Sequence, residues 1–152
     1  MSLDPVPVYA WVALGALLLA ALVGLLVWWS AAPRELAGAD ARTGEAVTLT
    51  VLAAPGGDLA LWVRYELATD DEFAEVRVAW EATSGGRRVG GGTATRDGAR
   101  VWHGGRLDWE SFSDRVAVIR GAAAGERVEV RVTVGECTVP ARVLKARAYV
   151  AR

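Results

Sequence analysis

The sequence is poor in the residues that most often build metal and redox sites. It contains one cysteine, Cys137, and one histidine, His103, which disfavours a His/Cys metal cluster. A single cysteine also excludes a disulfide within the chain and leaves the redox compartment open. We therefore predict that the protein holds no metal and no cofactor.

An excess of charge of one sign is also missing. Lysine and arginine together number 17 and aspartate and glutamate 18, which gives a formal net charge of −1. Without a basic excess, the chain is not expected to bind nucleic acid. Lys145 is the only lysine, and the arginines accompany many alanines, glycines and valines. We interpret this bias as typical of a bacterial protein from a GC-rich genome.

Charge is entirely absent between Asp4 and Arg34. In this gap, residues 8–29 (VYAWVALGALLLAALVGLLVWW) form an apolar run of 22 residues. As a helix the run would be about 33 Å long, which matches a bilayer's hydrocarbon core. Because a backbone in lipid must satisfy its own hydrogen bonds, a transmembrane helix is predicted. The length of the run and the absence of Lys and Arg before it favour a retained anchor over a cleaved signal peptide.

Aromatic and small residues give this helix two predicted functions. Aromatic residues at its two ends are expected to lie at the two membrane interfaces, where such side chains are enriched: Tyr9, Trp11, Trp28 and Trp29. Small residues on one face are expected to dock on a helix of an integral membrane partner, since they let two backbones approach closely: Ala13, Ala16, Ala20 and Gly24. Chance spacing in an Ala/Leu-rich helix is the alternative.

Positive charge flanks only one end of the helix. Arg34 and Arg42 follow it, whereas Asp4 and no basic residue precede it. The positive-inside rule therefore places the rest of the chain on the cytoplasmic side of the inner membrane of a bacterial cell. Fold-level analogy with single-anchor β-domains favours the periplasm instead. The charge rule is given the greater weight, and the side stays open.

Four segments are predicted along the chain. Residues 1–7 form a polar lead, residues 8–29 the membrane helix, residues 30–44 a juxtamembrane linker with a short helical turn at 34–41, and residues 45–152 a β-domain. In the β-domain, apolar and polar residues alternate between Gly-rich turns. The predicted strands cover residues 45–53, 59–67, 75–83, 87–95, 99–103, 114–120, 126–134 and 142–150.

Seven or eight short strands predict an antiparallel β-sandwich. Trp80 on the third strand is expected to face the core, as a core tryptophan does in immunoglobulin-like domains, although their cysteine pair is absent. The glycines of residues 87–95 indicate an edge strand, and the valines of residues 126–134 give the clearest alternation.

The predicted loop over residues 104–113 is a candidate contact region through Trp109 and Phe112. Its carboxylates and aromatics are compatible with a sugar-binding cleft, but a plug over an open end of the sandwich, with Trp109 packed inward, is preferred.

Other candidates are interpreted as structural rather than functional. His103 is expected to face solvent at a strand end. The acidic run at residues 70–72 is expected to be a solvated turn, the Arg87–Arg88 pair to lie in an exposed hairpin, and Cys137 to be a buried or inert thiol.

No pattern of a nucleophile with its base accompanies these residues. The sequence therefore predicts a non-enzymatic, single-pass accessory subunit that docks on integral membrane proteins of a larger complex. A respiratory or photosynthetic assembly is one example. A membrane-tethered module that recognises a protein, peptide or glycan through its loops is the alternative.

Overall fold

The computed structural model describes residues 8–31, 34–53, 55, 57–69, 74–106, 108–138 and 141–152, and the helix side chains of residues 9–26. The chain divides into two compact units, Met1–Pro33 and Arg34–Arg152. The first unit contains helix α1 (Val8–Ala31), and the described part of the second contains nine strands. These strands are β1 (Glu35–Ala41), β2 (Ala46–Leu52), β3 (Leu59–Ala68), β4 (Val76–Ser84), β5 (Arg87–Ala94), β6 (Arg100–Arg106), β7 (Trp109–Ile119), β8 (Arg127–Cys137) and β9 (Arg142–Ala151).

The predicted apolar helix is confirmed and ends at Ala31, two residues later than predicted. Its stretch Tyr9–Leu26 has a mean hydropathy of 2.3 and is long and apolar enough to cross a membrane. Tyr9 and Trp11 are exposed. The side chains of Trp28 and Trp29, the lead of residues 1–7 and the acidic run at 70–72 lie outside the described part of the structure.

The strands form two antiparallel sheets. The five-stranded sheet has the order β1-β9-β3-β7-β6, and the four-stranded sheet has the order β2-β8-β4-β5. The predicted all-β, sandwich-like architecture is therefore confirmed, with nine strands instead of seven or eight, while the narrower immunoglobulin-like assignment is not confirmed. The Gly-rich β5 lies at a sheet edge, as predicted.

Side chains from both sheets form one hydrophobic core. The alternation predicted for residues 126–134 is confirmed in β8, where Val128, Val130, Val132 and Val134 are fully buried. From the other sheet, β3 contributes Leu61, Val63, Tyr65 and Leu67, and β9 contributes Ala148 and Val150. A strand with one buried face alternates in this way because successive side chains point to opposite sides.

The linker predicted for residues 30–44, with its helical turn, is wrong over most of its length. Residues Glu35–Ala41 form β1, which pairs antiparallel with β9, and Arg34 exchanges backbone hydrogen bonds with Arg152. The segment ELAGADA has no clear alternation, and its burial rises only toward Ala41. Its strand conformation comes from pairing with β9 rather than from a local preference, a context effect that sequence patterns miss.

The loop predicted for residues 104–113 is also wrong. Strand β6 continues through Gly104 and Gly105 to Arg106, and β7 begins at Trp109, so that the hairpin closes on the pair Arg106–Trp109. Most of β7 is buried on both faces, including two serines and two acids. This composition hides the alternation on which the prediction depended.

Trp80 points into the sandwich but is only half-buried, so its predicted full burial is wrong. Its neighbour β5 is an edge strand whose residues 90–92 are all glycine. The ring packs over Gly90, where an added Cβ would lie 2.7 Å from a ring carbon. The glycines thus make room for the indole but leave it without a covering side chain.

Candidate functional site

The outward side of the five-stranded sheet has an unusual concentration of polar and aromatic side chains. In β3, Leu61, Val63 and Tyr65 face the core, so the residues between them face outward. The ladders place Arg64 opposite Ser113 of β7 and opposite Arg147 of β9. We call this surface the outer polar face, and it consists of Trp62, Arg64, His103, Ser111, Ser113, Arg147 and Tyr149.

Ser113 links two other members of the outer polar face. Its Oγ lies 2.7 Å from Nε2 of His103, and Ser113 is also close enough to Tyr149 to lower the pKa of the tyrosine hydroxyl. His103 reaches Ser113 because the β6–β7 ladder is irregular between Trp102 and Gly104. Such an irregularity re-aims a side chain next to a sheet edge. Ser113 itself is 1% exposed, so its position is fixed by the fold.

The electrostatics of this network depend on burial and on Arg64. Burial lowers the pKa of His103, and the nearby Arg64 guanidinium lowers it further. Burial raises the pKa of Tyr149, against the opposing effects of Ser113 and Arg64. His103 is therefore held as a neutral imidazole at pH 7.

Arg64 is exposed and has no ion pair or hydrogen bond with any residue that the structure describes. Its cross-strand neighbour Arg147 is paired with Glu35 at 2.6 Å and with Asp40 at 3.3 Å. Like charges directly opposite each other in a ladder destabilise a sheet. The acids therefore neutralise Arg147, and the Arg64 charge stays unpaired.

A surface depression of about 450 Å³ lies beside Arg64, between β1, β9 and β3. Its charged lining comprises Asp40, Arg42, Arg64, Glu66, Lys145 and Arg147. Glu66 is paired with Lys145 at 3.2 Å. Both acids of this lining are thus engaged, and the depression gives solvent access to Arg64 and Arg42.

The inward side of the same sheet contains a different arginine. Arg100 of β6 donates from Nε and Nη2 to the Asp114 carboxylate at 2.6 and 2.7 Å, and its guanidinium carbon lies 3.8 Å from the centre of the Phe112 ring. Burial lowers the pKa of Arg100, but the hydrogen bond and charge of Asp114 outweigh this, and the pKa is raised. Nearby, burial raises the pKa of Tyr65, whose hydroxyl has no hydrogen-bond partner among the residues that the structure describes.

The residues predicted to dock on a partner helix lie in α1, and all four are exposed: Ala13, Ala16, Ala20 and Gly24. An added Cβ at Gly24 would meet no atom within 4 Å. The residues predicted as a loop contact are not in a loop. Phe112 is 1% exposed and packs against Tyr65, with ring centroids 5.4 Å apart, so it is not accessible to a partner. Trp109 is half-buried at the start of β7.

The other sequence candidates fall in separate places. Arg88 and Arg87 are exposed in β5, and Cys137 is half-buried at the end of β8. His103 is exposed, as expected, but it lies in the middle of β6 and not at a strand end. Its partner Ser113 was missed, because the two lie ten residues apart on neighbouring strands and only the ladder joins them. In the part of the chain that the structure describes, no three His, Cys, Asp or Glu side chains are grouped for a metal ion.

No family model matches this sequence, and comparisons with curated proteins and with solved structures find no significant match. The functional argument therefore depends on the residues themselves.

Proposed function

We propose that this protein is a non-catalytic, single-pass accessory subunit that docks on and stabilises a larger integral membrane complex. One observation carries the proposal. The helix stretch Tyr9–Leu26 has no buried side chain, while the β-domain buries a hydrophobic core of its own. An apolar helix with no covering must be surrounded by lipid or by other helices.

The distribution of small residues supports docking rather than simple anchoring. Ala16, Ala20 and Gly24 recur every four residues, so their directions drift by only about 40° per step. Ala13 falls in the same arc, and the leucines at 14, 18, 22 and 25 cover the opposite side. Because no hydrophobic force drives helices together in lipid, close backbone packing on such a face provides the association energy.

The proposed location is the inner membrane of a bacterium, with the β-domain on the cytoplasmic side. Arg34 and Arg42 support this side through the positive-inside rule. The partners are integral membrane subunits, of which a respiratory or photosynthetic assembly is an example.

Co-purification in mild detergent tests the proposal. The full chain, purified from its native membrane, should bring integral membrane proteins with it in stoichiometric amounts. Gly24→Leu should remove them, because the larger side chain separates the two backbones. Gly15→Leu is a matched control, since Gly15 lies nine residues away, about 180° around the helix. It makes the same chemical change, and its added Cβ also meets no atom within 4 Å.

Loss of partners with Gly24→Leu and retention with Gly15→Leu would support the subunit role. Equal retention with both variants would show that the helix is only a tether. That outcome would favour the alternative function, a membrane-tethered recognition module. The outer polar face is the observation that favours this alternative, and it replaces residues 104–113 as the contact surface because those residues are mostly paired in β6 and β7.

A further inference from the structure

The interactions within the described fold do not explain why position 64 is an arginine. Its neighbours across the two ladders are Ser113 and Arg147, and neither is an acid. The acids nearby, Glu35 and Asp40, are bound to Arg147. Among the described residues, Arg64 therefore has no acidic partner and lies opposite a second guanidinium, in an arrangement that is unfavourable for the sheet itself.

We propose that Arg64, His103 and Tyr149 form a binding site for a phosphate or carboxylate group on the outer polar face. This site is independent of the helix and goes beyond the proposed subunit role. A guanidinium presents a planar fork of donors that matches the oxygens of either group. When Nε2 of His103 accepts the proton of the Ser113 hydroxyl, the Nδ1–H of the imidazole and the Tyr149 hydroxyl remain as further donors.

Ser113 positions His103. It is buried, lies opposite Arg64 in the ladder and forms a hydrogen bond with His103, so it holds the imidazole beside Arg64. Trp62 stacks against Tyr149 with the two rings 8° from parallel and 6.3 Å apart, which limits the freedom of the tyrosine ring. Donors that are held in place before binding lose less entropy when a ligand arrives.

Charge and access select an anion over a cation. The lining of the depression has four cationic and two acidic side chains, and counting Glu35, which also binds Arg147, still leaves an excess of one positive charge. The depression beside Arg64 is open to solvent and also exposes Arg42. A free phosphate and the headgroup of an acidic lipid share this chemistry, and the site would hold the same oxyanion in both cases.

The single histidine provides the test. In the full chain in a neutral detergent, the imidazole NMR signals of His103 can be followed while inorganic phosphate replaces chloride at constant ionic strength. A saturable change in chemical shift is expected, together with a rise in the pKa of His103, because a bound anion favours the imidazolium form. Arg64→Gln should weaken the apparent affinity at least about tenfold, since it removes the charged hydrogen bonds.

Arg131→Gln is the matched control, because Arg131 is an exposed arginine of β8 in the other sheet. It should titrate as the parent does. Arg64→Lys keeps the charge but loses the fork, and an intermediate affinity is expected. Repeating the measurement in nanodiscs, with either acidic phosphatidylglycerol or neutral phosphatidylcholine, identifies the source of the oxyanion.

An Arg64-dependent response to free phosphate supports the site with a soluble ligand. An Arg64-dependent response only to phosphatidylglycerol supports it with a lipid headgroup. A shift that does not saturate, or that is the same in the parent and in Arg64→Gln, would overturn the proposal. The absence of any response to either source would overturn it as well.

Discussion

The two sides of the five-stranded sheet each present an arginine, and the two arginines have opposite surroundings. On the inward side, Arg100 forms a two-point ion pair with Asp114, which is 0% exposed, and donates to the Ala74 carbonyl oxygen at 2.9 Å. On the outward side, Arg64 has no acidic partner among the described residues and faces Arg147. A buried guanidinium without partners would destabilise the fold, whereas an exposed one has little effect.

This difference separates two reasons for an arginine in a β-sheet. Arg100 is required because Asp114 and the edge strand β6 depend on it. Arg64 pairs with no group in the described part of the fold, so its charge is open to a ligand. The apolar surface of helix α1 resembles Arg64 in this respect, because the β-domain forms its hydrophobic core without it.

Breaking the inward pair should have the largest effect. Asp114→Asn leaves the Arg100 charge without its carboxylate, and the free energy of unfolding should fall by about 3–5 kcal/mol. Asp97→Asn is the matched control, because Asp97 also binds an arginine, Arg115, but both side chains are about one-third exposed. It should lose less than about 1 kcal/mol in the same denaturant titration. Equal losses would show that burial does not distinguish the two pairs.

Two tyrosines, Tyr149 on the outward side and Tyr65 on the inward side, should show the same contrast with smaller changes in the free energy of unfolding. Tyr149→Phe removes a half-buried hydroxyl that interacts with Ser113 and should cost about 0.5–1.5 kcal/mol. Tyr65→Phe removes a buried hydroxyl that has no partner among the described residues, and should be neutral or stabilising by up to about 1 kcal/mol. Denaturant unfolding of both variants measures the difference. A loss with Tyr65→Phe as large as that with Tyr149→Phe would indicate that the inward hydroxyl is satisfied in solution.

The smallest expected effect is the pH dependence that His103 adds. Because the pKa of His103 is lowered in the fold, the unfolded chain binds the proton more readily. The contribution of the neutral imidazole is therefore complete above the unfolded pKa of about 6.5 and is lost as the pH falls through it. The groups that act on the ring are Ser113, through a hydrogen bond, and Arg64, through its charge.

Unfolding free energies at about pH 7.5 and about pH 5.5 check this sign. The parent should lose more stability on acidification than His103→Gln. Arg64→Gln should lie between them, because it removes the effect of the Arg64 charge on the pKa of His103 but keeps the effect of burial. Identical pH dependence of the parent and His103→Gln would contradict the assignment.

Local pattern was sufficient for the strongest elements. The charge-free run predicted α1, and the alternating valines predicted β8, because one-sided burial has a clear signature in sequence. It was not sufficient where partners decide the structure. Strand β1 depends on β9, and β7 buries serines and acids on both faces, so neither shows a simple period.

The candidate site could not be predicted from local sequence pattern either, because strand pairing brings its residues together. Arg64 and Tyr149 lie 85 positions apart in the chain, and only the pairing of β3 with β9 brings their strands together. Ser113 was placed in a loop, so its hydrogen bond to His103 could not be anticipated. Sequence analysis did identify His103 and its exposure, but not the residues around it.

Thermal unfolding of the full chain at increasing phosphate concentration tests most directly whether Arg64 serves a ligand rather than the fold. A ligand that binds only the folded state raises its stability by mass action. Without phosphate, Arg64→Gln should unfold at the same temperature as the parent or slightly above it, because it removes the like-charge contact with Arg147. With phosphate, the parent and Arg131→Gln should gain stability equally, and both should gain more than Arg64→Gln, which shows only the general salt effect. A lower midpoint for Arg64→Gln without phosphate, or an equal gain in Arg64→Gln and the parent, would contradict the account.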